Sequence, residues 1–176
     1  MKPKDLKRLI FRESKPNIRQ FVLMDGDKYS RDAGILWAAY KAGSFSMPEG
    51  LTQEEFIAEA TNTISGFRES LIIDDVNDAY PSGNGAIGLV LSNNAGMIVE
   101  PRFMFFKWAN CRNVLRSSVA VLSMIRASNK TGIVLVRVDE ARRKLADHLR
   151  KYDLLFFIGK SDVNEFLYSA KGRGSA

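Results

Sequence analysis

Basic side chains surround one junction of the sequence, where an apolar run ends and a helical pattern begins. The segment FFKWANCRNVLRSS, residues 105–118, carries Lys107, Arg112 and Arg116 there. A helix N-terminus presents backbone N–H groups and a partial positive charge, so cations placed beside it can hold an anion. The junction is therefore predicted to bind an anionic group.

The elements that position this junction follow from residue spacing. Before it, GMIVEPRFMFF is rich in β-branched and aromatic residues, which is typical of a strand. After it, Leu115, Val119 and Leu122 recur at helical spacing and predict a helix over about residues 112–127. The junction is thus predicted to lie between a strand and a helix.

The rest of the chain predicts further helices around a mixed sheet. Thr52 and Glu55 form a capping-box pattern that predicts a helix over roughly residues 53–65, with Gly66 as its stop. The other predicted helices are SRDAGILWAAYKAG and DEARRKLADHLRKY, and the other predicted strands are ESLIIDDV, AIGLVLS, TGIVLVRV, DLLFFIG and NEFLYSA. NNAG predicts a hairpin between two of the strands, whereas a strand, helix, strand passage implies a right-handed parallel crossover.

The composition favours a single globular domain. The 176 residues are 45% hydrophobic and 26% charged, and no apolar run reaches the roughly 18 residues that a membrane span needs. The basic N-terminus has no apolar stretch, so no secretory signal is expected. One cysteine, Cys111, cannot form an internal disulfide, and one histidine, His148, does not suit a usual zinc site, so no structural metal is predicted.

Two further motifs are better explained as ordinary loop and strand residues. GNGAIG, residues 83–88, matches the spacing of the dinucleotide fingerprint, but it runs into a predicted strand, whereas the fingerprint opens a helix. Asp74, Asp75 and Asp78 supply enough carboxylate for a divalent cation. No matching ligand set follows them in the sequence, so these charged residues are expected to face water.

The positive charge is concentrated at the two ends of the chain. Of the net charge of +6, residues 1–19 carry +5 and residues 171–176 carry +2, which leaves −1 for the body. We therefore predict a basic N-terminal arm over residues 1–19, a domain over residues 20–170 and a basic tail over residues 171–176. Such arms can contact phosphates or an acidic partner, and the alternative is that they only solvate the chain. The predicted partner-binding cations are Lys2, Lys4, Lys7, Arg8, Arg12, Lys15, Arg19, Lys171 and Arg173.

The order of predicted elements resembles the GNAT acetyltransferase superfamily over about residues 20–170. MIVEPRFMFFKWANCRNVLRSSVAVLSMIRA is similar to that family's fourth strand, cofactor loop and third helix, and HLRKYDLLFFIGK is similar to its FYEKLGFxxxG signature. The resemblance implies an α+β fold: two N-terminal helices, an antiparallel meander, and then a βαβαββ arrangement with a central parallel pair.

The same resemblance implies an acetyl-coenzyme A site at the basic junction. The family's loop reads Arg/Gln-x-x-Gly-x-Gly/Ala, because glycines let backbone N–H groups approach the pyrophosphate, whereas KWANCRNVLRSS contains no glycine. The lack of glycine predicts that no cofactor binds in the family's usual pose. If acetyl-coenzyme A does bind, the resemblance assigns its contacts to Lys107, Asn110, Arg112, Asn113 and Arg116.

The catalytic candidates also come from the resemblance. The family's general acid is a tyrosine of the FYEKLGF signature, and the ungapped match places Leu149 there, with Tyr152 one turn away. Glu100 lies on the predicted strand where some family members carry a glutamate that accepts the proton of the amine substrate. The alternative for Glu100 is an ordinary exposed strand residue.

These features favour a GNAT-like scaffold that has lost acetyl-coenzyme A chemistry and serves as a binding or structural protein. An active N-acetyltransferase and a nucleic-acid-binding module are the alternatives. Glycine-poor GNAT-like domains of this size are similar to small proteins of tailed bacteriophages, some of them virion components. That likeness implies basic ends that contact packaged DNA or neighbouring virion proteins, and a location in the bacterial cytoplasm or the virion.

Overall fold

The computed structural model describes residues 16–74, 86–95, 98–128, 133–151, 155–162 and 165–169. The described strands are Asn17–Gln20 (β1), Met24–Asp25 (β2), Lys28–Tyr29 (β3), Glu69–Asp74 (β4), Ala86–Ala95 (β5), Ile98–Phe105 (β6), Ile133–Asp139 (β7), Phe156–Asp162 (β8) and Glu165–Ser169 (β9). The described helices are Arg31–Lys41 (α1), Gln53–Ser65 (α2), Cys111–Ser128 (α3) and Arg143–Arg150 (α4), with a 3-10 turn at Glu140–Arg142.

The described residues group into two compact units. The N-terminal unit contains Pro16–Leu91 and Phe103–Val114. The C-terminal unit contains Ser92–Arg102 and the described residues from Leu115 onward. β5, β6 and α3 contribute residues to both units, and the single domain over residues 20–170 stays a prediction.

Side-chain caps begin both helices at the start of the N-terminal unit. Ser30 Oγ accepts a hydrogen bond from the backbone N–H of Ala33 at the start of α1 (3.2 Å). At α2, Thr52 Oγ1 accepts from the N–H of Glu55, and the Glu55 carboxylate accepts from the N–H of Thr52 at 2.8 Å. The predicted capping box and the predicted helix over residues 53–65 are confirmed.

Aromatic rings form much of the core in the N-terminal unit. Phe56 of α2 is buried, and the ring of Tyr40 from α1 stacks on it with 4.6 Å between centroids. The hydroxyl of Tyr40 donates to the carbonyl of Pro48 and accepts from the N–H of Leu51, at 2.6 and 3.1 Å. Because these bonds join a core ring to the loop between α1 and α2, they hold that loop against the unit.

Three short strands of the N-terminal unit were not predicted. β1 pairs antiparallel with β4, from Asn17 opposite Asp74 to Gln20 opposite Leu71. β2 and β3 form a small hairpin whose turn contains Gly26 at φ 62°, a conformation that glycine adopts without a Cβ penalty. β1 corrects the predicted N-terminal arm, because residues 17–19 belong to a sheet strand.

A close approach of two strands in the N-terminal unit explains one glycine. β5 and β6 are hydrogen-bonded neighbours, and a Cβ at Gly88 of β5 would lie 2.6 Å from the carbonyl oxygen of Met104 on β6. Any larger side chain at residue 88 would therefore push the strands apart. Gly88 is a strand glycine, as predicted from the position of GNGAIG, and residues 83–85 of that motif lie outside the described part of the chain.

The sheet of the C-terminal unit combines parallel and antiparallel pairs. β6 and β7 are parallel, with Ile98 opposite Ile133 and Val99 opposite Val134. β9 pairs antiparallel with both β7 and β8 and lies between them. β7 and β8 therefore run in the same direction, on either side of β9. The predicted α+β fold class, with its central parallel pair, is confirmed.

Candidate functional site

The basic junction lies in the N-terminal unit, where the chain leaves β6 and enters α3. The backbone N–H of Phe106 donates to the carbonyl of Ile87 on β5 (2.9 Å), and the N–H of Lys107 donates to Ser44 Oγ (2.9 Å). Ser44 belongs to the loop between α1 and α2. The junction is therefore held both by the neighbouring strand and by that loop.

Trp108 adds a further attachment at the same place. Its indole N–H donates to the carbonyl of Ala86 at the start of β5 (2.7 Å), and its ring packs on Phe106 with 5.1 Å between centroids. A partly buried indole that has its polar N–H paired is well fixed. The residues that lead into α3 are thus anchored by a bulky side chain.

A side chain of the junction itself caps α3. Asn110 Oδ1 accepts a hydrogen bond from the N–H of Asn113 (2.9 Å), and the Asn110 carbonyl accepts from the N–H of Val114 (3.0 Å). This is the arrangement of an N-cap, for which asparagine is a favoured residue. The resemblance assigned Asn110 to cofactor contact, although its type and position immediately before the helix already matched a cap.

The five predicted cofactor-contact residues differ in exposure. Lys107, Asn110 and Arg112 are exposed, so their side chains are accessible at the junction. Asn113 and Arg116 are buried, with 2% and 8% of their surfaces exposed. The surface of the N-terminal unit therefore offers two cations near the start of α3, and not the larger set that the sequence suggested.

One backbone N–H at the start of α3 is already engaged, which bears on the pyrophosphate pose that the resemblance implies. That pose needs free backbone N–H groups and a close approach of the ligand to the main chain. Here the N–H of Asn113 is engaged by Asn110, and Trp108 stands in the loop. Lys107 and Arg112 are exposed beside this helix start, and the loop before it contains no glycine.

The candidate base Glu100 lies on β6 within the C-terminal unit and is half-buried. Its Oε1 is bound by Nε of Arg137 on β7. The parallel register places Glu100 near Leu135, and Arg137 lies two residues further along β7, on the same face of that strand. The sequence signal for Arg137 was a basic residue within the otherwise apolar run IVLVRV, but nothing local identified its partner.

The catalytic tyrosine of the resemblance has no counterpart among the described residues. Leu149, which takes its position in the ungapped match, lies in α4 and is buried among the hydrophobic residues of the core. Tyr152 lies outside the described residues. Leu149 therefore acts in packing, and the role of Tyr152 stays a prediction.

Arg19 is the one predicted partner-binding cation that the described part of the chain includes. It lies on β1, where its guanidinium contacts Asp32 at 2.6 and 2.8 Å and Asp74 at 2.8 Å. Hydrogen bonding to Asp32 raises the pKa of Arg19, which stays charged. Arg19 is thus engaged within the N-terminal unit, which corrects its assignment to a free arm. The other predicted cations, Lys2, Lys4, Lys7, Arg8, Arg12, Lys15, Lys171 and Arg173, lie outside the described residues.

Metal sites and membrane spans were also considered for the described ranges. Within them, no group of three or more His, Cys, Asp or Glu side chains is arranged to hold a metal ion. None of the helices in the same ranges has both the length and the apolar character needed to cross a bilayer. Asp75 and Asp78 of the acidic segment lie outside the described part.

Comparison with solved structures decides the fold. A chimera of spermidine N-acetyltransferase SpeG from Vibrio cholerae and hSSAT matches with a TM-score of 0.59 and 12% identity, over 89% of this chain and 94% of that chain. The chain has the GNAT fold. An acetyltransferase of the GNAT family from Bacillus anthracis matches with a TM-score of 0.57 and 15% identity, over 89% and 94% of the two chains.

The nucleotide-linked sugar GNAT FdhC, in its apo form, is also similar. Its TM-score is 0.58 at 14% identity, and the match covers 88% of this chain and 87% of that chain. No protein-family model matches the sequence, and no curated protein matches it either. The likeness thus establishes the GNAT fold, while the chemistry has to be argued from the side chains.

Proposed function

We propose that this protein uses the GNAT fold as a binding scaffold and has lost acetyl-coenzyme A chemistry. The observation that carries the proposal is the start of α3. Asn110 caps the helix within a loop that contains no glycine, and Trp108 is fixed in that loop by its bond to Ala86. With the N–H of Asn113 taken by the cap and no glycine in the loop, the backbone is less open to a pyrophosphate than the family's loop is.

The ion pair on β6 supports the same proposal from the C-terminal unit. A general base must be able to reach the proton that it removes. The Oε1 atom of the Glu100 carboxylate already holds the guanidinium of Arg137. Glu100 therefore serves the sheet by joining β6 to β7.

The charge distribution supports a polyanionic partner for this scaffold. Without the paired Arg19, residues 1–18 and 171–176 carry a net +6, while residues 19–170 carry a net charge of 0. Lysine and arginine at several phosphates release counterions, which makes binding strong and dependent on salt. In this proposal the basic ends bind nucleic acid or an acidic neighbouring protein, as a virion-associated component does.

The alternative is an active acetyl-coenzyme A-dependent N-acetyltransferase. Its support is the position of Glu100, a half-buried carboxylate on β6 where the resemblance expects a base. Lys107 and Arg112 would then contact the phosphates of the cofactor. This alternative requires a cofactor pose that does not rely on the backbone N–H of Asn113.

Calorimetric titration of acetyl-coenzyme A into the purified chain separates the two functions. The scaffold predicts no binding at micromolar concentrations, with circular dichroism showing that the protein is folded. Binding that is lost in Arg112→Ala and kept in Lys151→Ala, which removes another exposed cation, would overturn the scaffold. Glu100→Gln would then be assayed for acetyl transfer with amine acceptors.

The polyanion partner is tested by fluorescence anisotropy with a labelled DNA duplex at several salt concentrations. Each phosphate contact contributes about −0.9 to the slope of log K against log salt, so a variant with Lys2, Lys4 and Lys7 changed to alanine should have a slope smaller by up to about 3. Changing Lys28, Lys144 and Lys151 to alanine is the matched control and should leave the slope unchanged. Absence of binding, or equal slopes in the two variants, contradicts DNA recognition by the arm and favours a protein partner.

A further inference from the structure

The N-terminal unit contains an apolar pocket that the proposed function does not use. Leu89 and Leu91 of β5 form its floor together with Met104 of β6. Leu36 of α1 and Phe56 of α2 form walls. The pocket has a cavity volume of about 60 Å³, well above the roughly 10–15 Å³ that one water molecule needs.

The described lining of the pocket offers a ligand very few hydrogen-bonding groups. Thr63 is the one polar side chain in its described lining, and the Thr63 hydroxyl donates to the carbonyl of Glu59 within α2 (3.1 Å). Water in such a site would lack the two to four polar partners that hold a buried water. A hydrocarbon group loses nothing on entering it and leaves bulk water.

The rim of the pocket opens to solvent. Phe45 and Met47, from the loop between α1 and α2, are half-buried, and Thr63 is exposed. The loop is held in place through the Tyr40 hydroxyl and through the bond from Lys107 to Ser44. The entrance is therefore formed before a ligand arrives, and a ligand can keep a polar end in water.

We propose that this pocket binds the unbranched aliphatic tail of a small amphiphile. A tail of three to four carbons suits the volume, and the flexible thioethers of Met47 and Met104 can adjust around it. The polar head lies outside the rim. The proposal does not depend on the loss of acetyl-coenzyme A chemistry, because the pocket residues and the α3 cap are different groups.

Methionine methyl NMR with primary alcohols tests the proposal directly. The chain is labelled at its methionine methyl groups and titrated with ethanol, 1-propanol, 1-butanol and 1-hexanol. The resonances of Met47 and Met104 should shift to saturation, whereas those of the exposed Met24 and Met124 should not. The affinity should rise about fourfold with each added carbon up to 1-butanol, since a buried methylene contributes about 0.8 kcal/mol, and then level off.

A matched pair of variants on α2 locates the binding. Ala60→Leu places three more carbons in the pocket and should weaken 1-butanol binding at least tenfold, while Ala58→Leu makes the same change at an exposed position of the same helix and should leave binding unchanged. Thermal unfolding checks that both variants are folded.

A variant at the rim gives a second test if Ala60→Leu does not fold. Met47→Ala should then improve the binding of a branched alcohol relative to 1-butanol. The proposal is overturned if the Ala60 and Ala58 variants bind 1-butanol equally or if all four methionines respond equally. It is also overturned if Met47→Ala shows no added preference for a branched alcohol.

Discussion

Two arginine–carboxylate contacts in this protein use the same chemistry under different exposure. In the N-terminal unit, Arg19 holds Asp32 and Asp74, whose side chains are 3% and 8% exposed. In the C-terminal unit, Arg137 holds Glu100, and these side chains are 38% and 23% exposed. The first contact joins β1, α1 and β4, whereas the second joins two neighbouring strands.

The comparison indicates that the contribution of an ion pair to stability depends on how deeply its side chains are buried, and not on their charge alone. The carboxylate of Asp32 is almost inaccessible to water. Hydrogen bonds from Arg19 and from the backbone N–H of Val22 (3.1 Å) replace the hydrogen bonds that water would donate. Removing one partner from a buried pair leaves an uncompensated charge. Glu100 and Arg137 keep access to water, so water replaces part of the lost contact when either side chain is removed.

Asp32→Ala should have the largest effect among the polar contacts considered. Because it removes two of the three carboxylate contacts of Arg19 and the acceptor of the Val22 N–H, while Asp74 still holds Arg19, we expect a loss of about 1–3 kcal/mol in the free energy of unfolding, below the cost of breaking a fully buried pair. Urea denaturation followed by circular dichroism measures it. Asp27→Ala, at an exposed turn, is the control, and equal losses in the two variants would remove the distinction drawn from burial.

Asn110→Ala tests a contact that carries no charge. Loss of the cap on α3 should cost about 1 kcal/mol of unfolding free energy, and Asn110→Asp should restore most of it because aspartate also caps well. The same denaturation experiment applies. A loss in Asn110→Ala that Asn110→Asp does not reduce would mean that the amide has a role other than capping.

Glu100→Gln measures how much the half-buried pair of Glu100 and Arg137 contributes to stability, compared with the Arg19 contact. The expected loss is about 0–1 kcal/mol, because a partly exposed ion pair is screened by water and salt. A double-mutant cycle with Arg137→Gln measures the coupling between the two side chains. Coupling above about 2 kcal/mol would place this pair in the same class as the Arg19 contact.

Glu55 is fully exposed, and its substitution is expected to change the stability least among these variants. Hydrogen bonds from the backbone and side chain of Thr52 lower the pKa of Glu55. A carboxyl group with a lowered folded-state pKa adds stability above its unfolded pKa of about 4.3, and the added stability disappears as the pH falls through the folded value. Melting temperatures of wild type and Glu55→Gln should therefore differ slightly at pH 7 and converge near pH 3. A difference that persists at pH 3 would exclude this cause.

Local sequence features predicted the helices of this protein well. The Thr52 and Glu55 capping box marked α2, because a cap depends on residues only three positions apart. The run of apolar residues at helical spacing marked α3, which the structure places at Cys111–Ser128. The short strand β1 escaped prediction because four residues with one β-branched side chain form a strand only when a partner such as β4 is present.

The candidate site was predicted less completely than the fold. The absence of glycine before α3 was evident from the sequence, and it pointed to an altered cofactor loop. The capping bond of Asn110 and the anchoring of Trp108 were not deduced. The capping bond was missed because the resemblance had assigned Asn110 to cofactor contact. The anchoring of Trp108 was missed because its partner, Ala86, lies 22 residues away in the sequence.

By itself, the sequence determined which segments form the helices and the strands from Glu69 onward, the GNAT-like order of those segments, and the absence of glycine from the loop before α3. These features depend on neighbouring residues and on periodicity, so they can be recognised from the sequence alone. Only the tertiary structure decided that Arg19 binds Asp32 and Asp74, that Arg137 binds Glu100, and that β9 lies between β7 and β8. The two ion pairs and the pairing of β7 with β9 join parts of the chain that lie 13 or more residues apart, and which of several carboxylates or strands becomes the partner depends on how the sheet packs.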